Sequence, residues 1–290
     1  MISAVFVIYD PDIDLLEVAV NSLVHQVDNV FLVDNSLSSS LGVFSQCDKI
    51  EVIELKNNLG IAAAQNVGIQ KALTKNSNYI VLSDQDTIFP AGFIEDMLPH
   101  FDRFPWAAAI VPRFKDSRMH SSNGFIANRP FWFSQFYPEH GQHRIFQAIA
   151  SGKILRAEFI GEIGLMNERL FIDWVDFEWC WRARERGFEI IGNADVVIEH
   201  QLGDVSSNIG FREITLRSPI RHYYITRNAF YLSIYSKELD RLHRLNLFFR
   251  AFRYILGFPL ISKPRAKNLK AVLLGFFHGV RGVLGKLDGV

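Results

Sequence analysis

The sequence predicts an α/β protein with a mostly parallel sheet flanked by helices, followed by a C-terminal helical tail that is both basic and apolar. Three observations lead there. Short apolar runs alternate with segments of helical periodicity over the first hundred residues, several of those runs end in Asp, and the charge is divided sharply between body and tail.

Ile2 to Tyr9 is a strand-like apolar run, and Asp12 to Val27 then places Ile13, Leu16, Val20, Leu23, Val24 and Val27 at helical spacing. Val30 to Asp34 reads as a second strand, ending in the turn-rich Asn35-Ser36-Leu37-Ser38-Ser39-Ser40. Ile50 to Leu55 is a third strand, Ile61 to Leu73 a second helix and Tyr79 to Leu82 a fourth strand. This alternation implies parallel pairing with right-handed crossovers, so residues 1–100 read as a nucleotide-binding half. After Pro90 a helix is expected to run to about Phe101, and Pro105 to Gln147, with its Pro, Gly, aromatic and scattered His residues, reads as an irregular specificity loop. Ser151 and Gly152 open a further strand, Glu168 to Asp176 leads into a helix ending near Gly187, and Glu189 to His200 includes a strand. The expected organisation is a body over 1–235, divided near residue 100, and a helical region over 236–290.

At 290 residues with 49% hydrophobic content the chain can bury a sizeable core. Cys47 and Cys180 lie far apart without paired spacing, which argues against a disulfide framework or a cysteine zinc site and suits a reducing compartment. The N-terminal run lacks a basic leader, and no apolar stretch reaches the roughly 18–20 residues of a membrane span. A cytoplasmic protein, or one attached to a membrane from that side, is expected. The net charge of zero conceals an asymmetry: of 31 basic and 31 acidic residues, positions 241–290 hold ten and one, leaving 21 and 30 in the body. With Phe248, Phe249, Phe252, Leu273, Phe276 and Phe277 interleaved, the tail reads either as amphipathic helices for an anionic membrane surface or as helices packed on the body. The acidic body argues against nucleic acid.

Ser83-Asp84-Gln85-Asp86 follows the fourth apolar run, placing two carboxylates where a strand ends. Open α/β sheets bind ligands at that edge, and Asp-x-Asp offers two hard oxygen ligands able to hold Mg²⁺ or Mn²⁺ against a diphosphate. Asn57-Asn58-Leu59-Gly60 joins the third strand to the helix Ile61-Ala62-Ala63-Ala64-Gln65-Asn66-Val67-Gly68, whose small residues and N-terminal amides let phosphates approach the backbone.

Together with Val33-Asp34-Asn35-Ser36, and in this order, the motifs resemble the family 2 glycosyltransferases of the GT-A fold. The resemblance implies that Asp34 hydrogen-bonds a pyrimidine base, that Ile8, Tyr9 and Asp10 lie against that base, and that Asn58, Gly60 and Asn66 lie near base and ribose. Asp84 and Asp86 would then face the metal and diphosphate. The segment Phe171-Ile172-Asp173-Trp174-Val175-Asp176-Phe177-Glu178-Trp179-Cys180-Trp181-Arg182 resembles the acceptor-side motif whose carboxylate serves as base, which falls on Asp176, with Asp173 as the alternative. Val175 departs from the commoner acidic pair. Glu199-His200-Gln201-Leu202-Gly203-Asp204 implies His200 as a third metal ligand, an imidazole that suits Mn²⁺ better than Mg²⁺. Ser218-Pro219-Ile220-Arg221-His222-Tyr223-Tyr224-Ile225-Thr226-Arg227-Asn228 resembles the bacterial rhamnosyltransferase branch, and its arginines are candidates to pair with diphosphate.

The resemblance implies a nucleotide-sugar half (1–100) and an acceptor half (101–235) in an enzyme inverting the anomeric carbon. It would move a sugar, L-rhamnose from dTDP-L-rhamnose, to a hydroxyl of a lipid-linked surface polysaccharide of O-antigen type, working peripherally on the inner membrane face. Still open are the same fold with a UDP-sugar (galactose, N-acetylglucosamine or galactofuranose) and a non-catalytic nucleotide-sugar or glycan binding module. A glycosidase with paired Asp173 and Asp176 needs no nucleotide segment, and the first hundred residues argue against it.

Overall fold

The computed structural model describes residues 1–39, 41–116, 124–129, 133–200, 206–209, 212–215 and 218–287. In chain order the elements are β1 (Ile2–Ile8), α1 (Ile13–Val24), β2 (Asn29–Asp34), β3 (Ile50–Glu54), α2 (Ile61–Thr74), β4 (Tyr79–Asp84), β5 (Thr87–Ile88), α3 (Phe93–Met97) and α4 (His100–Arg103). There follow β6 (Ala107–Asp116), β7 (Phe125–Asn128), β8 (Phe133–Phe136), β9 (Gln142–Arg144), β10 (Lys153–Arg156), α5 (Ile160–Ile163), α6 (Val175–Glu185) and β11 (Glu189–His200). The chain then continues through β12 (Ser206–Ile209), β13 (Arg212–Thr215), α7 (Pro219–Tyr235), α8 (Arg241–Ile261) and α9 (Arg265–Arg281). Two compact units divide it: Met1–Asn128, Phe133–Asn167 and Asp176–Gln201 in the first, and Arg129–Trp132, Glu168–Val175 and Leu202–Val290 in the second.

The first unit is built on a nine-stranded sheet in the order β3-β2-β1-β4-β10-β6-β11-β5, with β9 added to β11. The pairs β2–β3, β1–β2, β1–β4 and β6–β11 are parallel, and β10 enters antiparallel between β4 and β6. Helix α1 begins at Asp12, whose side chain accepts from the amides of Asp14 and Leu15, and buries Leu16, Ala19, Val20, Leu23 and Val24. These residues share one core with Phe6, Ile8, Leu32, Phe89 and Phe93.

Two expectations need correction. The helix from Pro90 to Phe101 is two short ones, because Pro99 provides no amide to continue α3 and instead opens α4. Residues 105–147 are not an irregular loop: they contain β6, a central strand of the sheet, and β7 to β9. Pro112 inside β6 disguised that strand. It has no N–H to give, and its partner β11 responds with a bulge, the register jumping from Asn193 opposite Pro112 to Val197 opposite Arg113.

The second unit packs α7, α8 and α9 on one another, with β12–β13 as a separate hairpin. Helices α7 and α9 approach closely at Gly275 and Gly279, where a methyl group would stand 2.7 Å from Tyr223 O and 2.4 Å from Arg227 O. Helix α8 starts at Asp240, which caps the amides of Leu242 and His243. It leaves Leu242, Leu245, Phe249, Phe252, Leu256 and Leu260 exposed at three- and four-residue spacing, and α9 does the same with Leu269, Leu273, Phe277 and Val280. No helix among the described residues is long and apolar enough to cross a membrane.

Candidate active site

The strand ends of the first unit bring the predicted nucleotide residues to one edge. Parallel register sets Ile8 beside Asp34 and Val7 beside Asp84, so the carboxylates ending β2 and β4 flank the end of β1. The edge is tied by hydrogen bonds from Tyr9 N–H to Gln85 Oε1 (2.8 Å), Asp10 N–H to Ser36 Oγ (2.9 Å) and Asn35 N–H to Ile8 O (2.8 Å). Gln85 thus anchors the Asp84-Gln85-Asp86 turn to the segment that follows β1, a role that its place between two acids did not announce.

Asp34 is buried. Its Oδ1 accepts from Ser36 N–H (2.9 Å), while its Oδ2 has no hydrogen-bond partner. A buried unsatisfied acceptor costs about 1–3 kcal/mol, a cost that a ligand N–H would remove. Asn58 shapes the neighbouring turn, its Oδ1 accepting from Asn35 Nδ2 (3.1 Å) and Gly60 N–H (3.0 Å), as Asn35 Oδ1 accepts from Leu59 N–H (2.8 Å). Gly60 begins α2 at φ 90° and ψ 160°, backbone that side chains resist. Asn66 uses both ends of its amide on the backbone of Met166, donating to O (3.0 Å) and accepting from N–H (2.8 Å). It fastens α2 to the segment before α6.

Asp84 Oδ2 accepts a short hydrogen bond from Ser151 Oγ. Asp86 precedes β5, where Thr87 pairs with His200 of β11, so the ladder brings the His200 backbone next to the Asp-x-Asp turn. The side chain of His200 and the following Gln201 to Asp204 lie outside the described residues. Among the described residues no three His, Cys, Asp or Glu side chains gather as a metal site. Two carboxylates one residue apart at a strand end nevertheless fit Mg²⁺ or Mn²⁺ shared with phosphate oxygens, since such ions need only one or two protein carboxylates beside a nucleotide.

Asp176 stands in the first turn of α6. Its Oδ2 accepts from Ala150 N–H (3.1 Å) and its Oδ1 is buried without a partner. Burial pushes this carboxyl above the ordinary Asp range and the charge of Asp84 adds to the rise, while Lys153, the Ala150 amide and the Gln65 side chain oppose it. Lys153, fully buried on β10, donates weakly to Asp176 O (3.4 Å) and Cys180 Sγ (3.5 Å) and lies over the Trp179 ring at 5.6 Å. Sequence reading missed it. A lysine inside the strand Lys-Ile-Leu-Arg was the available signal. Glu178 is held bidentately by Arg182 (3.1 and 2.9 Å) and braces the helix.

Asp173 belongs to the second unit. Arg221 grips it with Nε to Oδ2 (3.0 Å) and Nη2 to Oδ1 (2.9 Å). Phe171, Asp173 and Trp174 all take positive φ, and Asn228 holds this strained segment by donating to the carbonyls of Leu170, Ile172 and Asp173. Arg227, also buried, donates to Leu170 O (2.8 Å). The arginines read as diphosphate ligands therefore have protein partners in the helical unit.

The Glycosyl transferase family 2 model matches residues 3–161, the stretch that holds Asp34 and the Asp-x-Asp turn; Asp176 lies beyond it. The chain belongs to that family. A family 2 enzyme is a glycosyltransferase, and near-full-length relatives agree. The dTDP-rhamnosyl transferase RfbF of Shigella flexneri is 30% identical over 288 residues, covering 98% of this chain and 97% of the relative. Among solved structures, S. aureus TarS 1-349 in complex with UDP superimposes with a TM-score of 0.60 at 14% identity, covering 100% of this chain and 94% of that one. GalNAc-T7 with UDP, GalNAc and Mn²⁺ gives 0.61 at 14% identity over 89% and 58%. At those identities the structures establish the fold of this family 2 chain, a GT-A sheet with antiparallel members.

Proposed function

We propose that the enzyme transfers L-rhamnose from dTDP-L-rhamnose, with inversion, to a hydroxyl of a lipid-linked surface polysaccharide. The observation that carries the reading is the pair of buried carboxylate oxygens without donors, Asp34 Oδ2 and Asp176 Oδ1, at one sheet edge, in a chain similar over almost its whole length to a dTDP-rhamnosyl transferase. Asp34 Oδ2 accepts the pyrimidine N–H, with Ile8, Tyr9 and Asp10 against the base. Gly60 lets the ribose approach the backbone at the start of α2. Asp84 and Asp86, with His200, would hold a divalent cation, which supplies charge to stabilise the leaving diphosphate. Ser151 fixes the rotamer of Asp84. Asp176 takes the proton of the acceptor hydroxyl as it attacks the anomeric carbon from the face opposite the diphosphate, and Lys153 beneath it favours the ionised form.

The exposed apolar rows of α8 and α9 carry Arg250, Arg253, Lys267 and Lys270 along their flanks, which supports a peripheral seat on an anionic cytoplasmic membrane face where a lipid-linked acceptor resides. The deciding experiment measures nucleoside diphosphate release from dTDP-L-rhamnose and the common UDP-sugars, with Mg²⁺, Mn²⁺ or chelator, with a lipid-linked glycan extract as acceptor. Metal-dependent release from dTDP-L-rhamnose is expected. Release from a UDP-sugar alone would replace the donor, and tight nucleotide binding without any release would point to a binding module.

A further inference from the structure

Beside the reaction edge of the first unit lies a pocket of about 160 Å³. At roughly 30 Å³ per water it has room for about five, the scale of one sugar ring. Ser151, the partner of Asp84, and Phe177, the neighbour of Asp176, both line it, so it adjoins the two carboxylates the reaction needs. Most of its wall is apolar: Phe114, Phe125, Ile126 and Ile149 contribute, with Ala148 between Ile149 and Gln147. Gln147 has its carbonyl occupied by Trp181 Nε1 (2.9 Å). Arg113 is the one cation among the described lining residues. Its Nη1 donates to Pro138 O (3.2 Å), and its Nε is buried with no partner. An unsatisfied buried donor in a mostly apolar pocket whose other polar lining is Gln135, Gln147 and Ser151 points to an occupant that is partly apolar and carries an acceptor.

We propose that this pocket seats the transferred sugar and selects a 6-deoxyhexose, the apolar wall covering the C6 methyl group while Arg113 Nε donates to a ring hydroxyl. The inference rests on the rhamnosyl reading above and adds the residues that choose the sugar. A hexose bearing a hydroxyl at C6 would have to bury it against Phe and Ile side chains without a partner. Such a wall discriminates moderately, by about a hundredfold, because an added hydroxyl is not sterically excluded.

The test compares kcat/KM for dTDP-L-rhamnose and dTDP-L-mannose, the same ring with a C6 hydroxyl, at saturating acceptor. It is read as thymidine diphosphate release by the full chain and by Ile149→Thr, Phe177→Tyr and Arg113→Lys. The wild type should prefer the deoxy donor by about 10²-fold. Ile149→Thr, or Phe177→Tyr if the first does not fold, should cut that preference by about tenfold. Arg113→Lys should raise KM for both donors while leaving their ratio alone. Turnover of dTDP-L-rhamnose with a donor ratio near one, or variants that change only the acceptor KM, would overturn the pocket assignment and leave the rhamnosyl reading standing. Turnover of a UDP-hexose with none of dTDP-L-rhamnose would overturn both.

Discussion

Asp173 and Asp176 stand three positions apart in sequence, yet the structure treats them in opposite ways. In the helical unit Asp173 has both oxygens held by Arg221, on a strained segment whose carbonyls are taken up by Asn228 and Arg227. In the sheet unit Asp176 has one oxygen bound to Ala150 N–H and the other buried without a hydrogen bond of normal geometry, the Gln65 side chain being its near neighbour. The first arrangement has the marks of stability; the second is what a ligand-facing carboxylate would show, because a buried acceptor without a donor calls for an explanation. Asp34 repeats the second pattern at the end of β2, where the proposed nucleotide base would lie.

The largest expected effect separates the two aspartates. Asp176→Asn should lower the transfer rate by about 10³-fold while leaving nucleotide affinity within a few-fold, since it removes the proposed general base and preserves the acceptor of the Ala150 bond. Asp173→Asn should retain the chemistry and instead lose about 2 kcal/mol of stability by leaving Arg221 half-paired, as read by denaturant unfolding. If Asp173→Asn abolished transfer in a fully folded protein, the assignment would have to be reversed.

The same contrast sharpens with pH. Burial raises the Asp176 carboxyl above its usual 3.8, so ionisation is disfavoured in the folded chain. Below 3.8 both states are protonated and the group costs nothing; from 3.8 up to the raised folded pKa the unfolded chain ionises first, and the stability so lost is fully gone above the folded pKa. Asp176→Asn should therefore melt higher than wild type at neutral pH, with the advantage vanishing toward pH 3.8. Transfer should fall as pH drops through the raised value, at higher pH than an exposed aspartate would give. A pH–rate profile with an acid limb at 3.8 would contradict this.

Much of the sheet unit was legible because its signals are local. Apolar runs ending in Asp34 and Asp84 are strands with a polar tip, and period-3.6 runs such as Ile13 to Val24 are helices. What escaped notice depends on partners distant in sequence. β6 was hidden by Pro112, whose missing N–H is accommodated by a bulge in a strand about eighty residues later. Asn66 reads as a ligand residue until Met166, a hundred residues on, is seen to take its amide. Arg221 and Arg227 look like anion ligands in a helix, and only the tertiary fold brings Asp173 and Leu170 to them.

Two glycines carry the comparison to smaller effects, one in each unit. Gly279→Ala would put a methyl group 2.4 Å from Arg227 O and 2.9 Å from Phe230 Cβ, so α9 must shift away from α7. Neither is a flexible tip, and the loss should be about 2–3 kcal/mol with nucleotide binding unchanged. Gly60→Ala meets strain of a different kind, from its φ of 90° at the start of α2, and should cost only about 1 kcal/mol. The turn it distorts carries Asn58 and borders the edge proposed to hold the nucleotide, so here a few-fold weaker nucleotide affinity should accompany the lower melting temperature. Isothermal titration with dTDP on both variants distinguishes them: a helical-unit glycine that weakened binding, or a Gly60 variant that left it untouched, would blur the separation between a helix contact that serves packing and an edge proposed to meet the nucleotide.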